Sequence, residues 1–411
     1  MSEGRVFRIG LLGRGTVGGA FEALVAERAG RIAEITGMRP QVVGVLRRSE
    51  GDFTQILEHS DLIVEVMGGI EPAREYVLRA MAAGRHVVTA NKQLLSQHGE
   101  ELWAAARAHG VQLRFEAAVA GVVPVIRVLS ESLAAARVER VHGIVNGTTN
   151  FILSQMAATG ATYADALAEA QALGYAEADP SEDVNGRDAA AKMAILARLA
   201  FNTPVHLDDV VYEGIEHLTA DDMAYARELG LGLKLLGTAE RVGEGRLSVR
   251  VHPAFLYGAH PLASVDGPFN AVTIESQAIT EITLSGPGAG GPQTASAVLG
   301  DVISAMIPPA STPETTDRLE IERDVESAFY LHLEVADRPG VLAQIAQVLG
   351  LQGASIKSVV QQGLGDNARL VMVTHPLLES RFFVACELIA GLDFVRARPR
   401  AIRVIDEQFT G

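Results

Sequence analysis

The sequence contains one cysteine, Cys386, and this scarcity excludes two classes of site. A single thiol cannot build a disulfide framework or a zinc site that needs several cysteines. Because no histidine motif accompanies it, we expect Cys386 to be a small core residue and not a nucleophile. Positive charge is scarce too, since 35 Lys and Arg face 50 Asp and Glu, for a formal net charge of −15. A chain this acidic lacks the basic footprint of nucleic-acid binding, so we expect no nucleic-acid partner.

Long apolar runs are also missing. No segment approaches the roughly 18 consecutive apolar residues that indicate a membrane helix. The opening strand-like segment, VFRIGLL, is too short and too interrupted by Arg8 for a signal peptide. We therefore expect a cytoplasmic protein with no membrane partner. The 411 residues and 48% hydrophobic content are typical of a globular chain with two or three domains.

The first third of the chain alternates short apolar runs with helical patterns. The strand-like runs are Val6–Leu12, Gln41–Leu46, Leu62–Met67, His86–Thr89 and Val111–Ala117. This alternation predicts an α/β unit, a Rossmann-type doubly wound parallel sheet. We assign residues 1–125 to a dinucleotide-binding domain and expect residues 286–307, which include the loop GPGAGG, to return to it.

The pattern changes after Pro124. Residues 126–307 mix helices with strands, and we predict an α+β domain that binds the substrate and dimerises, giving a homodimer or homotetramer. Residues 308–325 begin with a stretch rich in proline and threonine, which has the composition of a linker. Residues 326–411 resume a compact strand–helix–strand pattern.

The segment GRGTVG directly follows the first strand and carries Gly13, Gly15 and Gly18 in a dinucleotide-binding spacing. The first glycine permits a tight turn, the second lets a pyrophosphate approach the backbone, and the third lets the helix pack on the strand. The pyrophosphate would lie over the N–H groups of Thr16 and Val17. The motif alone is weak, and the alternative is a glycine turn without a ligand. The order strand, motif, helix, strand favours the dinucleotide site.

The second strand ends in Leu46, Arg47 and Arg48, where an NAD site normally has an acidic residue. Arginine accommodates a 2′-phosphate, so we expect NADP as the cofactor and keep NAD as the alternative. Two solvated arginines without a ligand are the other interpretation.

Lysine is rare, with four positions in the chain, Lys92, Lys192, Lys234 and Lys357. Two of them, Lys92 and Lys192, are candidates for proton transfer. Arginine keeps its proton at accessible pH, whereas a partly buried lysine can release it. Thr89 ends the fourth strand and Lys92 follows it closely. Because the carboxyl ends of parallel strands line the ligand crevice, we expect Lys92 at the nicotinamide end of the cofactor.

A second lysine ends the acidic segment GYAEADPSEDVNGRDAAAK. Asp188 and Lys192 are four residues apart in a helical pattern, so their side chains share one helix face. The alternative is a solvated acidic loop followed by an ordinary surface pair.

Five motifs together resemble the homoserine dehydrogenase family over about the first three quarters of the chain. They are GRGTVG, TANK, NGTTNFIL, the acidic segment and GPGAGG. Members of this family interconvert aspartate semialdehyde and homoserine with a nicotinamide cofactor. The resemblance implies that Lys92, Lys192 and Asp188 are catalytic, with Lys192 as the proton donor. Their chemistry agrees, because an ammonium group must stabilise the developing alkoxide and pass a proton to it.

The resemblance also implies ligands for the substrate and the cofactor. Glu177 and Asp188 would bind the substrate, whose ammonium group needs acceptors, and Asp183 would support them. Gly174 and Gly290 would contact the cofactor.

The segment FEAAVAGVVPVI resembles the family's monovalent-cation loop. The implied ligands of a sodium ion are Glu116 and the backbone carbonyls of Val119, Gly121 and Val123. The loop departs from the glycine-rich pattern at Ala120 and Val122, and a valine resists positive φ. A structural loop without a cation is the alternative.

The segment DRPGVLA resembles the opening of an ACT domain, a ferredoxin-like sensor of amino acids. The implied regulatory residues are Asp337, Gly340, Val341 and Leu342, with threonine as the feedback ligand. A dimerisation domain without a ligand is the alternative. Truncation after Ile307 is therefore expected to leave an active, threonine-insensitive enzyme.

Two competing interpretations of the whole chain remain. A 2-hydroxyacid dehydrogenase with an ACT domain would use a histidine-centred site, which the motifs do not offer. A nucleotide-gated amino-acid sensor without chemistry would not need both Lys92 and Lys192.

Overall fold

The structure is a computed structural model that describes residues 5–307, 319–362 and 368–405. The first third forms the predicted alternation of strands and helices. Its elements are β1 (Arg5–Leu12), α1 (Thr16–Thr36), β2 (Met38–Leu46), α2 (Phe53–His59), β3 (Leu62–Glu65), α3 (Ala73–Ala82), β4 (His86–Thr89), α4 (Lys92–Ala108) and β5 (Leu113–Arg114).

The middle of the chain adds more helices and longer strands. Its elements are α5 (Val125–Arg127), β6 (Val138–Ile144), α6 (Gly147–Thr159), α7 (Tyr163–Ala172), α8 (Ser181–Val184), α9 (Arg187–Phe201), β7 (Val211–Tyr212), α10 (Ala220–Glu228), β8 (Leu231–Arg241), β9 (Arg246–Tyr257), β10 (Phe269–Ser276), β11 (Thr280–Pro287) and α11 (Gly291–Met306). The last part contains β12 (Glu320–Ile321), β13 (Glu326–Val335), α12 (Val341–Leu351), β14 (Ile356–Gln362), β15 (Ala368–Thr374), β16 (Leu377–Leu378), α13 (Glu379–Ala390) and β17 (Arg400–Ile405).

The first five strands form one parallel sheet in the order β2-β1-β3-β4-β5, which confirms the predicted parallel α/β unit. Helices cover both faces, because Leu62 and Val64 pack with α1 and α11 while Ile63 packs with α2, α3 and α4. The strand order reverses between β1 and β3, and a ligand crevice opens at such a point. The predicted strand Val111–Ala117 is wrong at its end, since residues 116–118 form a 3₁₀ turn.

Helix α11 packs directly on α1, far away in sequence. Val298 and Val302 of α11 share a buried cluster with Phe21 and Val25 of α1. The segment after β11 therefore runs back to the parallel sheet, and it brings the glycine loop before α11 to the start of α1.

Twelve strands of the described residues form a second sheet, and nine of them follow the order β11-β10-β6-β8-β9-β17-β13-β15-β14. The short strands β7 and β12 pair with β9, and β16 pairs with β13. Helix α9 lies on this sheet and is buried along most of its length. Gly143 and Gly237 let α9 approach, because a Cβ atom at Gly237 would clash with the Met193 side chain. This helix carries Asp188 and Lys192.

Residues 326–405 form a βαββαβ unit with antiparallel order β17-β13-β15-β14, the topology predicted as ferredoxin-like. Its last strand also pairs in parallel with β9, where Arg403 is opposite Ala254. The unit therefore shares one sheet with the middle of the chain and is not a separate body on a tether. Residues 308–318 of the predicted linker lie outside the described residues, and β12 in its remainder pairs with β9.

The single cysteine lies in the βαββαβ unit. Cys386 is 8% exposed in the core of this unit, and burial raises its pKa to about 12, as expected for an inert thiol.

Among the described residues, no helix has the length and apolar character needed to cross a membrane.

Candidate active site

The carboxylate of Asp188 lies between the two lysines that the sequence singled out. Its Oδ1 is 2.6 Å from the Nζ of Lys92, and its Oδ2 is 2.7 Å from the Nζ of Lys192. Lys92 begins α4 beside the parallel sheet, whereas Asp188 and Lys192 belong to α9 on the second sheet. The exposed side-chain fraction is 35% for Lys92, 14% for Lys192 and 3% for Asp188. The cluster is therefore closed at its centre and open to solvent at Lys92.

The charges in this cluster stabilise one another. Burial alone would raise the pKa of Asp188, but the ammonium groups of Lys192 and Lys92 lower it below its ordinary value. Burial also opposes the charge of Lys92, yet the attraction of Asp188, followed by Asp183, raises the pKa of Lys92. Asp188 is therefore ionised and Lys92 is protonated at neutral pH.

Lys192 has a second protein acceptor. Its Nζ donates to the backbone carbonyl of Val145 at 2.7 Å as well as to Asp188. An ammonium group carries three donors. Among the described residues, these two acceptors leave one N–H of Lys192 for the oxygen of a substrate.

Asp183 joins the cluster through Asn146. The Nδ2 of Asn146 donates to the Asp183 Oδ1 at 2.7 Å and to the Asp188 Oδ2 at 2.8 Å. Burial, followed by the charge of Asp188, raises the pKa of Asp183. Asn146 begins the motif NGTTNFIL, and the family resemblance implied no role for it. Its signal was an asparagine directly before a helix, which is a typical N-cap.

The predicted contacts Gly174 and Glu177 lie in an exposed loop between α7 and α8. Gly174 has a φ of 77°, a left-handed conformation that favours glycine. The Thr148 hydroxyl donates to the carbonyl of Tyr175 at 2.6 Å and ties this loop to the start of α6. No described contact joins the Glu177 carboxylate to the lysine cluster, so its role remains a prediction.

The glycine turn after β1 has the shape that a dinucleotide needs. Gly13 has a φ of 98°, and a Cβ atom there would be 2.6 Å from the carbonyl oxygen of Val66. A Cβ atom at Gly18 would clash with the carbonyl of Gly13, whereas the space beside Gly15 is open. No side chain caps α1, so the N–H groups of its first turn, including those of Thr16 and Val17, remain for an anion. These residues fit a pyrophosphate.

Three other residues predicted to bind the cofactor lie at the carboxyl ends of β2 and β4. Arg47 and Arg48 are both exposed just beyond β2, and the Arg47 Nη1 lies 2.9 Å from Glu50. Thr89 is fully buried, and its hydroxyl donates to the buried Glu65 at 2.6 Å. The Thr89 side chain therefore supports the end of β4 from within the protein.

The glycine loop before α11 reaches the same place. Gly290 precedes α11 with a φ of 133°. A Cβ atom at the next residue, Gly291, would be 2.8 Å from the Thr16 Cγ2. The loop therefore packs against the start of α1, beside the turn that fits a pyrophosphate.

The predicted cation loop is a compact turn around Glu116. Both carboxylate oxygens of Glu116 accept backbone N–H groups, from Ile126 at 2.8 Å and from Arg127 at 2.9 Å. Burial, followed by the charge of Asp301, raises the pKa of Glu116 to about 7.

The backbone of this loop corrects one expectation. Positive φ falls on Ala120 (57°) and Gly121 (66°) and not on Val122, so the concern about a strained valine was wrong. Val119 and Val123 flank these two residues, and the carbonyl of Val123 already accepts the N–H of Val125 at 2.8 Å. No cluster of three or more His, Cys, Asp or Glu suited to a metal occurs in the described part of the chain. A cation here would depend on Glu116 and backbone carbonyls, which are the oxygen ligands that hard cations take.

A second cleft, of about 480 Å³, lies in the βαββαβ unit. The four residues predicted to be regulatory all line it: Asp337, Gly340, Val341 and Leu342. Gly340 has a φ of 91° directly before α12, and the Gln361 amide donates to Asp337 at 3.2 Å. The sequence therefore predicted a group of residues that the fold brings together.

Comparisons with known proteins agree with the geometry. The protein-family model described as "Homoserine dehydrogenase, NAD binding domain" matches residues 13–116. The family model described as "Homoserine dehydrogenase" matches residues 124–303. A homoserine dehydrogenase of Corynebacterium glutamicum is 44% identical over 98% of this chain and 96% of its own length. The crystal structure of a homoserine dehydrogenase from Thiobacillus denitrificans has a TM-score of 0.93 at 39% identity, over 98% of this chain and 99% of its own.

One further neighbour carries a cofactor. A hyperthermophilic archaeal homoserine dehydrogenase in complex with NADPH is 28% identical, with a TM-score of 0.64. The alignment covers 99% of that protein but 75% of this chain.

Proposed function

Since the chain belongs to the homoserine dehydrogenase family and is an NAD(P)-dependent oxidoreductase, we propose that it interconverts L-aspartate 4-semialdehyde and L-homoserine, with NADP as the preferred cofactor. The observation that carries the proposal is the carboxylate of Asp188, held between Lys92 and Lys192 at 2.6 and 2.7 Å. A 2-hydroxyacid dehydrogenase would use a histidine-centred site, and a sensor without chemistry would not need both lysines.

The reaction needs a hydride donor for the carbon of one carbonyl group and a proton donor for its oxygen. The nicotinamide cofactor supplies the hydride to the aldehyde carbon when it is bound over the glycine turn. Lys192 donates a proton from its Nζ to the aldehyde oxygen and recovers one from solvent. Lys92 stabilises the negative charge that develops on the same oxygen, because its ammonium group is already in place. Asp188 holds both ammonium groups and keeps their charges compatible at close range.

The substrate carries an ammonium group and a carboxylate besides its carbonyl. Glu177 and Asp183 are proposed as acceptors for that ammonium group, with Asp188 as the third carboxylate of the pocket. Glu177 is exposed in the loop between α7 and α8, on the solvent side of the site, which is open at Lys92.

The cofactor and cation proposals rest on separate observations. Arg47 and Arg48 lie at the end of β2, where a 2′-phosphate would be bound, and the archaeal relative has a structure with NADPH. Gly174 and Gly290 are proposed to complete the cofactor site, whereas Thr89, which was predicted to bind the cofactor, is fully buried and supports the end of β4 behind it. The carboxylate of Glu116 is proposed to hold a sodium ion with the carbonyls of the following turn.

Regulation is proposed to lie in the C-terminal unit. Its ferredoxin-like topology and the cleft at Asp337–Leu342 support an ACT domain that binds threonine, and an enzyme of the threonine and methionine branch would be inhibited by its end product. A cytoplasmic homodimer or homotetramer, joined through residues 126–307, is proposed as the working form.

A direct assay tests the reaction. Purified protein is mixed with NADP⁺ and either L-homoserine or a glycerate-type 2-hydroxy acid, and absorbance of the reduced nicotinamide is followed. We expect reduction with homoserine alone. Equal or greater reduction with the 2-hydroxy acid, or none with either, would overturn the proposed reaction.

A further inference from the structure

We infer that Asn146 is a positioning residue of the active site, whose side-chain amide holds the carboxylates of Asp183 and Asp188 side by side at the lysine cluster. The inference deepens the proposed function, since it rests on the roles assigned there to the two carboxylates.

The amide of Asn146 has every hydrogen-bonding group in use and one orientation that fits. Its nitrogen donates to Asp183 at 2.7 Å and to Asp188 at 2.8 Å, and an amide nitrogen has two N–H groups. Its oxygen accepts the backbone N–H of Thr149 at 2.9 Å, which caps α6. A flipped amide would place its oxygen against two carboxylates and its NH₂ against an N–H donor. Because Asn146 is 4% exposed, water cannot relieve either mismatch.

The turn that contains Asn146 forms hydrogen bonds with both members of the catalytic pair, Asp188 and Lys192. Asn146 binds the carboxylate of Asp188, and its neighbour Val145 accepts a hydrogen bond from Lys192 through its backbone carbonyl at 2.7 Å. A shift of this turn would therefore move the carboxylate and the ammonium group together. The cap on α6 fixes the turn, so the helix start acts as a support for the site.

A neutral donor is the suitable partner at this position. Burial and the charge of Asp188 raise the pKa of Asp183, whereas the hydrogen bond from Asn146 and the charges of Lys192 and Lys92 lower it. A third cation here would compete with the lysines for Asp188. Without any donor, Asp183 would take up a proton at higher pH and lose its use as an acceptor for the substrate's ammonium group. Asn146 therefore keeps Asp183 available without disturbing the lysine pair.

Two substitutions separate positioning from capping. Asn146→Ser keeps a good cap but cannot reach both carboxylates, and Asn146→Asp keeps the shape and the capping oxygen but replaces the donors with a third carboxylate. In both variants we expect KM for homoserine to rise by a larger factor than kcat falls. We also expect the acid limb of the kcat/KM profile to move to higher pH. The effect should be greater for Asn146→Asp. The control is Thr162→Ala, which removes the cap of α7 and should lower the unfolding temperature without moving the pH profile.

A readout without turnover keeps the inference separate from the proposed reaction. Isotope-edited infrared titration of ¹³C-aspartate follows the Asp183 carboxyl directly, with Asp183→Asn identifying its band. We expect this band to titrate at higher pH in Asn146→Ser than in the wild type. If the wild type turns over homoserine but Asn146→Ser keeps its KM, pH profile and Asp183 titration, Asn146 is a cap only and the inference is wrong. If the wild type is inactive, the proposed reaction fails while the titration still decides the role of Asn146.

Discussion

Arg250 and Glu379 join the two parts of the long second sheet through a buried ion pair of 2.8 Å between Nη1 and Oε1. Arg250 lies on β9, and Glu379 begins α13 of the C-terminal unit. Arg403 on β17 donates to the same carboxylate at 2.9 and 2.7 Å. The three residues are 5%, 7% and 8% exposed. The C-terminal unit is thus fastened by a buried charge cluster as well as by the pairing of β17 with β9.

The first prediction concerns this cluster. Glu379→Gln removes the carboxylate that Arg250 and Arg403 share, and leaves Glu240 to Arg250 and Glu213 to Arg403. A buried charge that loses every partner typically costs about 3–5 kcal/mol. Because one partner remains for each arginine, we expect the free energy of unfolding to fall in denaturant titration by no more than that amount. The control is Glu387→Gln, because the partner pair with Arg398 is exposed and such pairs contribute about 0–1 kcal/mol.

The same variant has a predicted pH dependence. Burial would raise the pKa of Glu379, but Arg403 and Arg250 lower it below the ordinary value of 4.5. A lowered folded-state pKa adds stability above pH 4.5 that is lost as pH falls through the folded-state value. The difference between wild type and Glu379→Gln should therefore shrink in acid. A constant difference from pH 7 to pH 3 would contradict this origin.

The second prediction concerns threonine. Truncation after Ile307 would strip β17 from β9 and remove Glu379 from Arg250, which would keep only Glu240 as its partner, so loss of stability would obscure the result. Asp337→Asn in the cleft is a gentler test, and we expect it to weaken threonine inhibition by roughly 5–150-fold, the usual range of coupling between sites. Activity without threonine should stay unchanged. Wild-type protein that neither binds threonine in calorimetry nor loses activity with it would leave the C-terminal unit as an assembly module.

The third prediction concerns proton transfer by Lys192. Both Lys192→Ala and Lys192→Arg should lower kcat on the order of 10²–10⁴-fold, the usual contribution of general acid–base catalysis. The arginine keeps the charge beside Asp188 but does not exchange its proton. Steady-state rates with saturating homoserine measure this. Turnover near the wild-type level in Lys192→Arg would mean that the residue acts only as a charge.

The fourth prediction concerns cofactor choice. Replacing Arg47 and Arg48 together by alanine should lower kcat/KM for NADP more than for NAD, since both guanidinium groups are exposed where a 2′-phosphate would lie. Glu50→Gln is the companion variant, because it frees Arg47 from its salt bridge at 2.9 Å and should favour NADP. A ratio of the two cofactors that does not change in either variant would show that these arginines are solvated bystanders.

The fifth prediction concerns the cation loop. Burial and Asp301 raise the pKa of Glu116 to about 7, so its carboxylate is ionised above that pH and should bind sodium better there. We expect stimulation of activity by sodium chloride to increase from pH 6 to pH 8, and Glu116→Gln to abolish that dependence. Choline chloride controls for ionic strength. An equal response to both salts would argue against a cation site.

The sequence predicted those parts of the site whose interacting groups are close together along the chain. The turn at Gly13–Gly18 has the predicted shape, because each glycine answers a local steric demand. Asp188 and Lys192 meet because helical periodicity brings residues four apart to one face. The strand at His86–Thr89 has the predicted bounds, since it is a short apolar run between turn residues.

Only the tertiary structure decided which distant segments share a site. Lys92 reaches Asp188 because α4 packs beside α9, and Asn146 reaches both carboxylates because β6 ends under that helix. The predicted C-terminal domain shares a sheet with the middle of the chain, because β17 pairs with β9. The backbone groups at a strand edge are alike in every sequence, so local pattern does not specify the neighbour. The buried charges at that seam favour the pairing, because Arg250 reaches Glu379 and Arg403 reaches Glu213 only when β9 and β17 lie side by side.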